Sequence, residues 1–261
     1  MKNKGLIITL IVILGFFALA LTGGFIYVLV KGSNFNFSFN FKNANMKLVD
    51  SYETEITNVN KIYFDLLSTD VEIKASKDEK ILVEYHSNQE KNGKIEFKDN
   101  TIIVNESISN LTCFGICNAR RKIILYLPNN NVEIEIKTKS GDIKSEINLN
   151  NLNITTVSGD VSLKEIESLD FSTTSGDIVI DKITKKFTIK AVSGDILIHT
   201  LSIDENSNIN TVSGDLVVTD NATNCYIDFT TVSGDNLIKK SDRKSDVVLN
   251  IHTISGDVSV N

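Results

Sequence analysis

The chain has no tryptophan, a single proline at Pro128, and only three cysteines and three histidines in 261 residues. His86, His199 and His252 recur with no common spacing, and nothing resembles a nucleophile triad or an HExxH site. Cys113 and Cys117 frame a Cys-x3-Cys pair with no second Cys/His pair at metal-ligand spacing, which argues against a zinc site. In an oxidising compartment Cys113 and Cys117 close a small disulfide loop, and otherwise they stay as thiols, while Cys225 is left over. No catalytic, cofactor-binding or metal-binding residue is assigned.

Charge of either sign is missing from residues 5–30, a stretch long enough to span roughly 30 Å of hydrocarbon. A cleaved signal peptide is the alternative, with Ala18-Leu19-Ala20 as a small-residue cleavage site. The apolar run continues through Phe25-Ile26-Tyr27-Val28-Leu29-Val30, which favours an uncleaved anchor. Lys2 and Lys4 orient it with residues 1–4 as a cytoplasmic tail and the remainder outside. Net charge is −6, and residues 1–31 hold three lysines and no acid, so the remainder has a net charge of −9. Such a body disfavours nucleic acid and anionic lipid as partners.

What the chain has in abundance is Asn, Ser, Thr, Ile and Val, a composition suited to strands and turns. Seven copies of one tripeptide stand out: Ser140-Gly141-Asp142, Ser158-Gly159-Asp160, Ser175-Gly176-Asp177, Ser193-Gly194-Asp195, Ser213-Gly214-Asp215, Ser233-Gly234-Asp235 and Ser255-Gly256-Asp257. Successive serines lie 18, 17, 18, 20, 20 and 22 residues apart, a period that marks a repeat architecture. Four residues before each serine stand Ile136, Ile154, Phe171, Ile189, Ile209, Phe229 and Ile251. Two before it stands threonine, or Ala191 in one copy. Three after it stand Ile143, Val161, Ile178, Ile196, Leu216, Asn236 and Val258. Apolar residues at every second position mean strands with one buried face. The offset changes parity across Gly-Asp, so one strand ends there, the chain turns on the glycine, and the aspartate fixes the turn.

Equivalent positions in every copy predict an all-β fold: a parallel β-solenoid of about seven to eight rungs, each pairing with the next in chain order. Neither the Leu/Asn pattern of leucine-rich repeats nor the glycine-rich nonapeptide of calcium β-rolls is present, so the aspartates read as turn-formers. An irregular β cap is expected over 56–130, with the repeats over 131–261. Inside the cap, Ser68-Thr69-Asp70 is a degenerate copy of the tripeptide. Strands are expected at 81–85, 95–97, 102–104 and 123–127, with turns at 91–94 and 98–100. Arg120-Arg121-Lys122 reads as a solvated basic edge, or as a contact for an anionic wall polymer or headgroup. Segment 31–55 is membrane-proximal, and its alternating Phe35, Phe37, Phe39 and Phe41 either cover an open face of the solenoid or rest at the membrane interface.

The run Leu125-Tyr126-Leu127-Pro128, then Val132-Glu133-Ile134, then the Ser-Gly-Asp ladder resembles a bacterial family of β-strand-repeat proteins regarded as adhesins, the LiaG-like group of unknown function. The resemblance implies a β-solenoid at the bacterial surface and carries over no catalytic residue. The aspartates recur on every rung as structural residues do, whereas catalysis needs a singular constellation, so a polysaccharide-active enzyme is the less favoured reading. Two readings lead: surface adhesion through the flat faces, binding an unknown surface polymer, or an envelope scaffold or stress-response component docking onto membrane proteins. Val258, Val260 and Asn261 end the chain inside its last strand, which predicts self-association through that C-terminal strand edge.

Overall fold

A computed structural model describes residues 46–88, 93–106, 120–128, 131–223 and 225–261. The expected anchor, the phenylalanine segment and the Cys113/Cys117 pair lie outside the described residues. Among the described residues no helix is long and apolar enough to cross a membrane. Residues 45–261 form one compact unit.

Among the described residues the unit is all-β apart from one 3-10 turn, Ile56–Asn58. The first strands are β1 (Lys47–Glu55), β2 (Lys61–Leu66), β3 (Asp70–Ala75), β4 (Lys80–Ser87), β5 (Gly93–Lys98), β6 (Thr101–Glu106) and β7 (Arg121–Leu127). The repeats form β8 (Glu133–Ser140), β9 (Ile143–Ser158), β10 (Val161–Ser175), β11 (Ile178–Ser193), β12 (Ile196–Leu201), β13 (Ser207–Ser213), β14 (Leu216–Asn221), β15 (Tyr226–Ser233), β16 (Asn236–Ile238), β17 (Val248–Ser255) and β18 (Val258–Val260). Residues 47–55, placed by sequence in the membrane-proximal segment, are thus a strand of the body.

Each repeat makes one layer. A first leg follows the aspartate, the chain bends, and a second leg runs to the next serine. In β9 and β10 the bend lies within one continuous strand, and the pairing slips by a residue between Leu163 and Glu165. Layers pair in parallel with like residues over like, as in Phe171 on Ile154 and Ile189 on Phe171. Neighbouring strands sit about 4.8 Å apart. The two legs enclose one core in which Ile136, Ile154, Phe171 and Ile189 of the second leg, and Ile143, Val161, Ile178 and Ile196 of the first, are fully or nearly fully buried. Each such side chain contributes about 1.5–3 kcal/mol of burial energy. The degenerate Ser68-Thr69-Asp70 corner forms the lowest layer, with β2 paired to β8 and β3 to β9.

The base is closed differently. One leg continues from β3 to β7, then antiparallel to β4 and β1. The other continues from β2 to β6, then antiparallel to β5. The expected turn at 98–100 is the β5–β6 hairpin loop, where Asp99 and Asn100 take φ of 49° and 58°. Two consecutive positive φ values match the right-handed twist of a hairpin.

Two sequence expectations are corrected at the other end. The layers do not follow chain order: β17 pairs with β13 on one side and β15 on the other, and β18 pairs with β14 and β16. The Ser255 layer therefore lies between the Ser213 and Ser233 layers. The C-terminal strand is paired on both sides, so the edge on which self-association was expected is closed. The outermost layer is β15–β16. Asn236 explains the exchange: it occupies a position that is apolar in every other copy, and chain-order stacking would bury its amide on Leu216. In the end layer it stays exposed, while Val258 packs over Leu216.

Threonines two residues before the serines form a buried polar column. The Thr173 hydroxyl has no hydrogen-bond partner among the described residues. Thr173→Val keeps the shape and removes the unsatisfied group, as Ala191 does naturally one layer on. We expect it to raise the denaturation midpoint by about 0.5–1 kcal/mol of stability, measured by chemical unfolding.

Candidate functional site

The Ser-Gly-Asp corners stack along one edge in the order 69, 141, 159, 176, 194, 214, 256, 234. Gly176 has φ +151°, and a Cβ built on it would lie 2.3 Å from the carbonyl oxygen of Gly159 beneath it. The corner therefore needs glycine both for its dihedral and for the close approach of successive backbones.

The aspartates form a second ladder beside the glycines. The Asp160 N–H donates to Asp142 Oδ1 at 3.0 Å, Asp195 N–H to Asp177 Oδ1 at 2.8 Å, and Asp215 N–H to Asp195 Oδ1 at 2.9 Å. The file begins at Asp70, which accepts from Asp142 N–H at 3.1 Å, and ends with Asp257, which accepts from Asp235 N–H at 2.7 Å. Each carboxylate thus fastens one layer to the next. Burial, joined by the charges of flanking aspartates and opposed by the N–H donor, raises the Asp195 carboxyl above its ordinary range, and Asp177 and Asp215 shift the same way.

A carboxyl raised in the folded state adds stability that is full below its unfolded pKa, about 3.9, and is lost as pH rises through the folded value. Asp195→Asn keeps the acceptor and removes the charge. It should melt higher than the parent at neutral pH, with the gain shrinking as pH falls through the raised folded value and gone below about 4. Asp195→Ala leaves the Asp215 N–H without its acceptor and should cost about 1 kcal/mol at all these pH values. Thermal melts of the three proteins across pH decide the matter.

Beside this edge, the outward face of the second legs is flat and open. Its columns follow the pairing register. One runs Asn153, Asp170, Thr188, Asn208, Asn250, Asp228. The next runs Thr155, Ser172, Lys190, Asn210, His252, Thr230. The residues just before the serines are aliphatic in five of the seven repeats, Val157, Val192, Val212, Ile254 and Val232, all exposed, while Thr174 and Lys139 take that place in the other two. In the six layers from β9 to β15 these columns hold two carboxylates and one lysine, Asp170, Asp228 and Lys190, on a body with a large excess of acid. The Asn250 amide donates to Asn208 Oδ1 at 3.0 Å, so part of the ladder is held in place. Along the rim runs a groove of about 480 Å³ lined by Asn60, Asn151, Asn153, Ser168, Asp170, Lys186 and others.

The basic run is not a solvated edge. Arg121 and Lys122 are buried at 7% and 6% exposure. Lys122 Nζ lies 2.7 Å from Glu72 Oε1, and Lys74 Nζ lies 2.8 Å from Glu72 Oε2. Burial alone would raise the Glu72 carboxyl, but the two ammonium groups outweigh it and hold it below its usual range. Nearby, Glu106 accepts from Leu67 N–H at 2.7 Å, from Tyr85 O–H at 2.7 Å and from the Thr69 hydroxyl. Burial and the Glu106 carboxylate push the Tyr85 phenol up. These are structural networks that tie the base to the lowest corner. Sequence reading expected binding through the flat faces but did not name the residues that compose this one, although its columns lie at odd offsets from the serines and are countable once the register is known.

The histidines do not converge: His199 and His252 are exposed on different legs, and His86 Nε2 sits 3.0 Å from Glu84 on β4. Cys225 is buried as a free thiol, and burial raises its pKa.

A search of curated proteins finds no match. Among solved structures, an adhesin candidate from Bacteroides fragilis is 16% identical, covers 81% of this chain and 96% of its own, and superposes with a TM-score of 0.54. A candidate lipid-binding protein from Parabacteroides distasonis is 15% identical over 84% of this chain and 98% of its own, at a TM-score of 0.53. Both share the fold. The model of the Toastrack DUF4097 family matches residues 59–261, the whole ladder and its base, and the chain belongs to that family.

Proposed function

We propose that the protein is a surface-binding, adhesin-like component of the bacterial envelope that binds without turnover. In this reading residues 5–30 anchor it as a single-pass membrane protein and the β body lies outside the cytoplasm. The observation that carries the reading is the flat face of β9–β11, β13, β17 and β15. It presents short amide, hydroxyl and aliphatic side chains over six successive layers, with two carboxylates and one lysine in its columns, on an otherwise acidic body, above a charged layer carrying Glu135, Lys137 and Lys139. A rigid array of this kind suits an extended surface ligand. Every aspartate of the file except the terminal Asp235 accepts from an N–H group of the neighbouring layer, which leaves these carboxylates a structural role. The description of the Bacteroides fragilis relative as an adhesin agrees with this reading.

Affinity capture of the intact protein from its native membrane tests it. Parent protein should retain a surface polymer or surface protein, and a variant carrying Asn210→Lys with Val212→Lys should lose it at least about tenfold. Equal capture by both proteins, or specific cleavage of any member of a polysaccharide panel, would overturn the proposal.

A further inference from the structure

The layer that ends the stack, β15–β16, is paired on one side only: β15 with β17, and β16 with β18. It is an insertion in the ladder, since β14 leads out to it and β17 returns beneath it. The loop after β16 covers part of its free edge, with the Ser241 hydroxyl accepting from Ile227 N–H at 2.9 Å and Asp242 N–H donating to the Cys225 carbonyl at 3.0 Å. Among the described residues no strand lies beyond the stretch from Phe229 to Ile238. There Val232 is 79% and Leu237 54% exposed, and Phe229 is only partly buried. Asp235 is the last of its file: it donates its N–H downward, and among the described residues no further layer donates to its carboxylate.

We propose that this layer is the docking surface for a second copy of the chain, joined end to end about a two-fold axis. An open strand edge accepts another strand, and here the edge consists of two strands linked by a Ser-Gly-Asp corner. Only the same end of another copy presents such a layer. The base of the stack ends in β1 and β5, each antiparallel to its neighbour and without that corner. Head-to-tail stacking therefore has no matching register, and the contact closes as a dimer rather than growing into a filament. Charge points the same way. Residues 222–247 hold four acidic and four basic residues, so the net negative charge of the body lies elsewhere and two such ends meet without net repulsion. Because the described chain enters the body at Met46, beside β1, the docking layer is the far tip of the stack.

The full chain, purified in mild detergent, should run as a dimer by light scattering. Lysine crosslinks between copies should join Lys239 or Lys240 of one to the same residues of the other. Val232→Lys with Leu237→Lys changes only exposed positions, so its melting temperature should stay close to the parent's while the dimer association constant falls at least about tenfold. Leu48→Lys, exposed on β1 at the base, should leave the dimer intact. A monomeric parent at its highest soluble concentration, a dimer unaffected by the tip variant, or one abolished by Leu48→Lys would overturn the proposal. So would crosslinks joining the tip to Lys47 or Lys94, and that readout needs no variant.

Discussion

Gly176→Ala is expected to remove the cooperative melt of the β body or lower its midpoint by well over ten degrees. The residue has φ +151°, where an L side chain costs about 1–3 kcal/mol in strain. The added methyl would also lie 2.3 Å from a backbone oxygen, not from a movable side chain, so the two layers must separate. Separation breaks the bonds that cross this corner, including Asp177 N–H to Asp160 Oδ1 at 3.0 Å and Val161 N–H to the Asp177 carbonyl at 2.9 Å. Strain and lost bonds together should exceed about 4 kcal/mol, a large share of the stability of a typical domain. Ser175→Ala, one residue earlier and exposed, should change the midpoint by less than about 0.5 kcal/mol. Circular dichroism melts of both variants make the comparison. A folded Gly176→Ala with a near-parental midpoint would mean that the corners do not stack as described.

The second large effect is expected at the base. Lys122→Met leaves the buried Glu72 carboxylate with only Lys74 beside it, and removing one partner of a buried pair costs about 3–5 kcal/mol. Because Lys74 remains, the lower end of that range applies. The double variant Glu72→Leu with Lys122→Met removes both charges and should recover most of the loss, since well-packed apolar pairs replace buried ion pairs at little cost. Urea unfolding of the parent, single and double variants gives the coupling directly. Equal losses in single and double variants would place the cost in packing rather than in the orphaned charge. The single variant should also lose its sensitivity to acid in the carboxyl range. A Glu72 pKa held low in the fold adds stability above the unfolded value that is lost as pH falls through the folded value.

Much of the body was legible in the chain because its determinants are local. Alternating Ile136, Thr138 and Ser140 before the corner, and Ile143 and Ser145 after it, define two legs and the face each one buries. Even the degenerate Ser68-Thr69-Asp70 corner kept enough of this pattern to be found. The Arg120-Arg121-Lys122 run was misread because its burial depends on Glu72, some fifty residues away on a strand paired through β3 and β7. Charge in a sequence gives no hint of a partner so distant. The flat faces were expected, but the residues of this one were not named, because Asn153, Asp170, Thr188 and Asn208 are unremarkable singly and become a column only in register.

By itself the sequence determined the leg, the corner and the inward face of every layer, because alternation and glycine act within a few residues. Only the tertiary structure decided which layer lies on which. Parallel pairing recognises a pattern of buried and exposed positions, and all the repeats present the same pattern, so no layer names its neighbour. The choice fell to a single polar residue: Asn236 can be solvated at an end and cannot be buried within, and this places the Ser255 layer inside the stack and β15–β16 at its tip.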